Sequence, residues 1–185
     1  MHRFFLSGKT SNVFAISISV LAVFTLSAFT SASSLVINDS VEQTLQPKEL
    51  TFIDGTDDPG WKLSPSTPNS SGISVNRFDR FDLDQDLNIF NLPSQNPAKT
   101  IIIKSDQIKI NGTVEVIGVP ANIVFLTTEY IGGISCDSCS FNNISRLSFL
   151  LASGEEIKEI DTKDISKLGI LNSKASGLLR LGSLT

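Results

Sequence analysis

Histidine is nearly missing from this chain: one occurs in 185 residues, His2, and it lies at the extreme N-terminus. Cysteine is almost as scarce, with Cys136 and Cys139 the only pair. These absences narrow the chemistry. A structural zinc site needs four ligands, and two thiolates flanked by no acid but Asp137 do not supply them. General-base catalysis would have to rest on Asp or Glu alone, and there is no nucleophile elbow or Walker loop, and no Ser–Lys pairing. The expectation is a protein that is not an enzyme and uses neither metal nor cofactor.

Long apolar runs are scarce too, with one exception. Residues 1–12 carry Arg3 and Lys9 and no acid, Val13 to Phe29 is apolar apart from small Ser and Thr, and "TSASS" follows. That is the layout of a secretory signal peptide, with a cut after Ala32 placing Thr30 and Ala32 at the −3 and −1 positions, and a cut after Ser33 nearly as good. An uncleaved anchor is the alternative, although seventeen residues span only about 26 Å as a helix against a hydrocarbon core of about 30 Å. Residues 1–32 are therefore expected to be a leader, and no later segment is long and apolar enough to cross a membrane. Loss of Arg3 and Lys9 leaves 13 bases against 19 acids, a net charge of −6. Nucleic acid is an unsuitable partner for such a chain. The remaining length, about 150 residues, suits one domain with a real core.

In an exported chain two cysteines favour a disulfide. A redox-active Cys-x-x-Cys usually has its first thiol at a helix N-terminus following a strand. Here "ANIVFLTTEYIGG" precedes the pair and "SFNNISRLSFLLASG" follows it, both β-like. The pair reads as a staple across a tight turn between strands, with a small loop-entropy gain and the main effect of stiffening one corner.

Along the chain, "SSLVIND" and "ELTFID" read as short strands, and "GTDDPGWKLSPSTPNSSG" as loop because Gly, Pro, Asn, Asp and Ser crowd it. From Gly72 the sequence turns to repeated β-prone runs: "ISVNRFDRFDLD", "LNIFNL", "KTIIIKSDQIKI", "TVEVIGV" and "ANIVFLTT". Ile108 and Ile110, then Val114 and Val116, alternate with polar residues in the period of half-buried strands, and Asn111-Gly112 is a strong turn signal between them. No helical period appears before about residue 155. The fold class is all-β, either a sandwich or a β-solenoid. Residues 155–185 change character and accommodate either a helix threading Ile157, Ile160, Asp164, Ile165 and Leu168 or, in "KLGILNSKASGLLRLG", two poor strands.

"FDRFDLDQDLN" supplies Asp79, Asp82, Asp84 and Asp86. The last three open like an EF-hand loop, but Leu87 stands where glycine is needed and Pro93 where the bidentate glutamate belongs, which excludes that motif. Alternate strand positions predict a solvated carboxylate face instead. Four Asn-x-Ser/Thr sequons, at Asn38, Asn69, Asn111 and Asn143, are compatible with glycosylation at the level of composition only.

Two blocks carry a resemblance. Asn76, Phe78, Phe81, Asp82, Leu83 and Asp84 match an Asn-x-Tyr/Phe-x-x-Phe-Asp-Val-Asp pattern. Gly133, Ile134, Ser135, Cys136, Cys139, Phe141, Asn143, Ser145 and Arg146 match a Gly-Ile-Ser-Cys-x-x-Cys-Gly-Phe-Ile-Asn-Thr-Ser-Arg pattern. Together they resemble the secretion domain of two-partner secretion exoproteins of the filamentous haemagglutinin and haemolysin type, over about residues 40–154. The chain departs from that pattern at Tyr130-Ile131-Gly132, where the family has Asn-Pro-Asn, and at Ser140, Asn142 and Ile144.

The resemblance implies a right-handed parallel β-helix, residues 33–154, with N-terminal capping strands and a corner at Cys136 and Cys139, continued by residues 155–185. It implies recognition in the periplasm of a Gram-negative bacterium by a dedicated outer-membrane transporter, followed by export to the medium or cell surface. Asn76, Phe78, Phe81, Asp82, Asp84, Gly133, Ile134, Phe141, Asn143, Ser145 and Arg146 would form its recognition and folding motif. For Phe78, Phe81 and Phe141 a core role outweighs direct contact, and Asn143 is expected to bond backbone groups at a solenoid turn. Because the sequence given stops at Thr185, a short or truncated form is the expectation. A secreted effector, such as an adhesin or cytolysin component acting on a host surface or on a related full-length exoprotein, is the alternative, beside a decayed periplasmic fragment and a periplasmic thiol oxidoreductase.

Overall fold

Short β-prone runs broken by Gly, Asn and Pro cannot bury an apolar face singly, so they stack. The computed structural model describes residues 34–54, 59–128, 133–152 and 179–184. The proposed leader and residues 153–178, including most of the C-terminal extension, lie outside the described residues. Twelve strands are present among those described: β1 (Ser34–Ile37), β2 (Glu49–Ile53), β3 (Gly60–Ser64), β4 (Ile73–Leu83), β5 (Asp86–Asn91), β6 (Thr100–Lys104), β7 (Gln107–Ile110), β8 (Thr113–Gly118), β9 (Ala121–Thr128), β10 (Gly133–Asn142), β11 (Ile144–Ala152) and β12 (Leu179–Leu184).

Their pairing is that of a β-solenoid of about three turns with three faces. The first face stacks Ile73–Arg77 of β4, then β6, β9 and β11, all parallel. On the second lie Phe81–Leu83 of β4, then β7, the first half of β10 and β12, again parallel. The third stacks β3, β5, β8 and the last residues of β10 in the same sense. Two antiparallel strands close the N-terminal end, β1 on β4 and β2 on β3. The solenoid alternative is therefore the correct one, and the capping strands are present.

Register explains why no sequence repeat is visible. Leu87, Val114 and Phe141 stack in one column at intervals of 27 residues, whereas Ile101, Ile123 and Leu147 stack at 22 and 24. The corners differ in length, so the interior columns hold while the spacing drifts. Inside run Phe81, Ile108 and Ile134 on the second face, Leu63, Ile89 and Val116 on the third, and Ile103, Phe125 and Phe149 on the first, all part of one core. Each fully buried aliphatic or aromatic side chain contributes about 1.5–3 kcal/mol.

The first face is apolar on its outer side as well. Val75, Ile102 and Val124 form a second cluster with Leu45 of a 3-10 turn at Gln43–Leu45, and Val41, Ile73 and Leu150 pack against it. This is why "TIIIK" reads as an unbroken apolar run: a parallel strand covered on both sides does not alternate.

Three expectations need correction or refinement. The presumed loop from Gly55 contains strand β3, in which Trp61 and Leu63 pair with Leu87 and Ile89; stacking overrides the local turn composition. Asn111-Gly112 does turn the chain, but as a corner between the second and third faces, because β7 and β8 do not pair with each other. Glycine is required there: an added Cβ would collide with the Gln85 backbone carbonyl in the coil before. The carboxylate face at Asp82 is not solvated. Asp82 is only 4% exposed, because the Arg80 guanidinium (3.0 Å) and the Lys109 ammonium (3.6 Å) close over it.

Candidate functional site

The first block lies in β4, which bends from the first face to the second within one strand. Phe78 and Phe81 turn inward and meet edge to face at 5.2 Å, while Asp79 stays exposed between them. Asp82 points outward into the ion pairs already described. Asp84 begins the corner to the third face, where its Oδ1 accepts a 2.9 Å hydrogen bond from the Asn111 side chain one coil on. Asp86 repeats the device, accepting the Thr113 backbone N–H at 2.8 Å. These carboxylates hold successive corners together; they do not converge on a shared centre.

Asn76 is fully buried, at an interior position where later coils carry Ile103, Phe125 and Phe149. A polar group there must find partners. Its Oδ1 accepts the Ser66 N–H at 2.8 Å, and its Nδ2 donates to Ser74 Oγ at 3.0 Å and to the Ile102 carbonyl at 3.3 Å. Ser66 and Ser74 were not legible as part of this group, because a serine between Pro65 and Pro68 gives no periodic signal and one within β4 looks like an ordinary outward strand position.

The second block runs through β10 and into β11. Gly133, at φ 70°, enters the second face, and Ile134 stacks on Ile108 in the core. Cys136 and Cys139 form a disulfide, both buried, with Cα atoms 5.5 Å apart. Three residues of extended chain would span about 10 Å, so the backbone is folded into a turn here although pairing continues on either side. The staple spans the corner between the second and third faces, with Asp137 and Ser138 exposed at its apex.

Phe141, stacked on Val114, returns the chain to the core. Asn143, at φ 53°, then makes the corner back to the first face, its Nδ2 donating to the Val116 carbonyl at 2.5 Å and the Gly118 carbonyl at 3.3 Å in the coil before. Asn91 serves the same corner two coils earlier. Its amide donates to the Ala98 and Val119 carbonyls at 2.9 and 2.8 Å and accepts the Ala98 N–H at 2.7 Å. An asparagine closing a β-prone run before a turn is the signal that marks it in the sequence. Ser145 and Arg146 lie exposed at the start of β11.

The two blocks are joined by a residue belonging to neither. Phe125 of β9 packs 5.9 Å from Phe81, 6.1 Å from Phe141 and 5.6 Å from Phe149. The motif residues thus divide into an interior set, Asn76, Phe78, Phe81, Ile134, Phe141 and the two cysteines; a set that holds strand ends and corners, Asp82, Asp84 and Gly133; and a set turned to solvent, Asn143, Ser145 and Arg146.

No protein-family model matches this chain, and no curated protein matches it. What stands without them is an all-β solenoid scaffold of the general kind found in extracellular and secreted domains, sealed at its N-terminal end and stapled at one corner.

Proposed function

We propose that this chain is the secretion-recognition and folding-nucleus domain of a two-partner secretion exoprotein of adhesin or haemolysin type, acting by binding rather than by catalysis. What supports the reading is that the two blocks carrying the resemblance, 76–84 and 133–146, converge on one aromatic column through Phe125.

The mechanism follows from that division of the motif residues. The chain crosses the inner membrane under its leader and reaches the periplasmic domains of its outer-membrane transporter before its coils close. Asn143, Ser145 and Arg146 supply contacts to that transporter, and an extended segment adds to an open sheet edge of it. The aromatic column then nucleates the first coils outside the cell. Each further coil buries its inner column on the one before, a free-energy bias for export that needs no nucleotide.

Binding tests it. The purified periplasmic domains of the cognate transporter should capture the wild-type chain as it is diluted from urea, before its coils close, and Ser145→Ala with Arg146→Ala should weaken that binding about tenfold, equivalent to ~1.4 kcal/mol. The urea midpoint of that double variant should be unchanged. Absence of binding by the wild-type chain would remove the recognition role.

A further inference from the structure

A solenoid offers an unpaired strand edge on every face of its first coil, and such edges invite another chain to add. On the second and third faces this end is covered by short antiparallel strands, β1 of four residues with a register shift at Val36–Ile37, and β2 of five residues beginning at Glu49. Short, irregular or charged edge strands are poor templates. The first face has neither. Its outermost strand among the described residues is the Ile73–Arg77 stretch of β4, which pairs with β6 on one side only.

Four of the backbone groups facing away from β6, the Ile73 N–H and the carbonyls of Ile73, Val75 and Arg77, are nonetheless occupied, and not by a strand. Ile73 gives its N–H to Asn69 Oδ1 at 3.0 Å, and its carbonyl accepts the Asn69 N–H at 2.9 Å. The Val75 carbonyl accepts from Ser66 Oγ at 2.8 Å, and the Arg77 carbonyl from the Asn38 N–H at 3.1 Å. Ser66 is itself held from beneath, its N–H on Asn76 Oδ1 and its hydroxyl 2.9 Å from Ser74 Oγ. Alternate positions 73, 75 and 77 are those through which a parallel or antiparallel strand would pair. All three carbonyls are taken.

We propose that Ser66, Asn69, Ser74 and Asn76 form a side-chain stitch that closes the N-terminal edge of the first face and so prevents a second copy of this chain from joining the solenoid end to end. Two features favour a second copy as the excluded partner. The stitched strand is parallel-pairing and apolar on its outer side at Ile73 and Val75, and its counterpart in another copy carries the same alternating N–H and C=O groups, donors and acceptors that an open edge could exchange. The polar residues at 74 and 76 also cost the first coil two apolar core positions, which later coils fill with Ile101 and Ile103. That sacrifice is accounted for if the end must be closed.

The test is Ser66→Ala combined with Asn69→Ala in the full chain, studied by sedimentation velocity with a spin label introduced at exposed Thr67→Cys to report distances between copies. The variant should keep its β-structure by circular dichroism and self-associate at least about tenfold more tightly than the wild type, with labels of neighbouring copies close together. Ser66→Thr, which keeps the hydroxyl, should restore wild-type behaviour when Asn69 is intact. The proposal is overturned if the folded variant associates no more than the wild type, or if it associates with the labels far apart. Loss of β-structure without association would likewise reduce the stitch to a stability element and end the proposal.

Discussion

Cys136 stacks in register on Ile110, yet the path onward to the third face is longer from Cys136 than from Ile110. Ile110 leads to Val114 in four residues and Leu83 to Leu87 in four, whereas Cys136 reaches Phe141, which lies over Val114, in five. The disulfide therefore sits at the corner of this edge that carries an extra residue, and it pulls that residue's slack into a turn 5.5 Å across. Closing a loop this small contributes about 2 kcal/mol in the chain-entropy account. Cys136→Ala with Cys139→Ala should lower the unfolding free energy by about that amount or slightly more, read from urea midpoints. Because both cysteines are buried, a mild thiol reductant should open the bond in urea and leave it intact in the folded chain.

Phe125 is the residue on which the two sequence blocks depend for contact, and Phe125→Ala should be among the costliest single truncations in the domain. A loss of about 3–5 kcal/mol is expected from lost transfer energy and the cavity left between Phe81, Phe141 and Phe149. Chemical denaturation followed by circular dichroism measures it. A loss below about 1 kcal/mol would mean that the column repacks and does not act as a unit.

Asn143 makes two separable contributions, a left-handed backbone and two side-chain hydrogen bonds. Asn143→Gly keeps the first and loses the second, costing about 1–3 kcal/mol for carbonyls left without their donor. Asn143→Ala loses both and should cost about 1 kcal/mol more, the strain of a Cβ in that conformation. The order of stability, Asn above Gly above Ala, is checked by thermal melts of the three proteins. Equal melting of Gly and Ala variants would contradict the backbone part.

Much of this architecture was legible from side-chain period. The alternation at Ile108 and Ile110, then Val114 and Val116, placed those four residues inside, and Asn111-Gly112 marked the break between them. Period could not say whether that break was a hairpin or a corner, since both need a residue pair that turns without a bulky Cβ; only the pairing partners distinguish them. Likewise Asp82 was correctly turned away from the core side of β4, but its burial depends on Lys109, 27 residues on, whose distance in sequence hides its stacking in space. Strand β3 was hidden by its setting between Pro59 and Pro65, because a strand recruited by stacking on β5 needs little intrinsic preference. The buried polar group at Ser66, Ser74 and Asn76 left no trace, since each residue alone looks like ordinary loop or outward strand chemistry.

Transporter-dependent export of the intact chain tests the central claim most directly. The chain is expressed in a Gram-negative host with and without a cognate two-partner transporter, beside the Cys136→Ser, Cys139→Ser variant, and intact protein is assayed in medium and periplasm. The account predicts folded chain in the medium only when the transporter is present, with the variant exported but less resistant to protease. Retention of the wild-type chain in the periplasm under both conditions would contradict it.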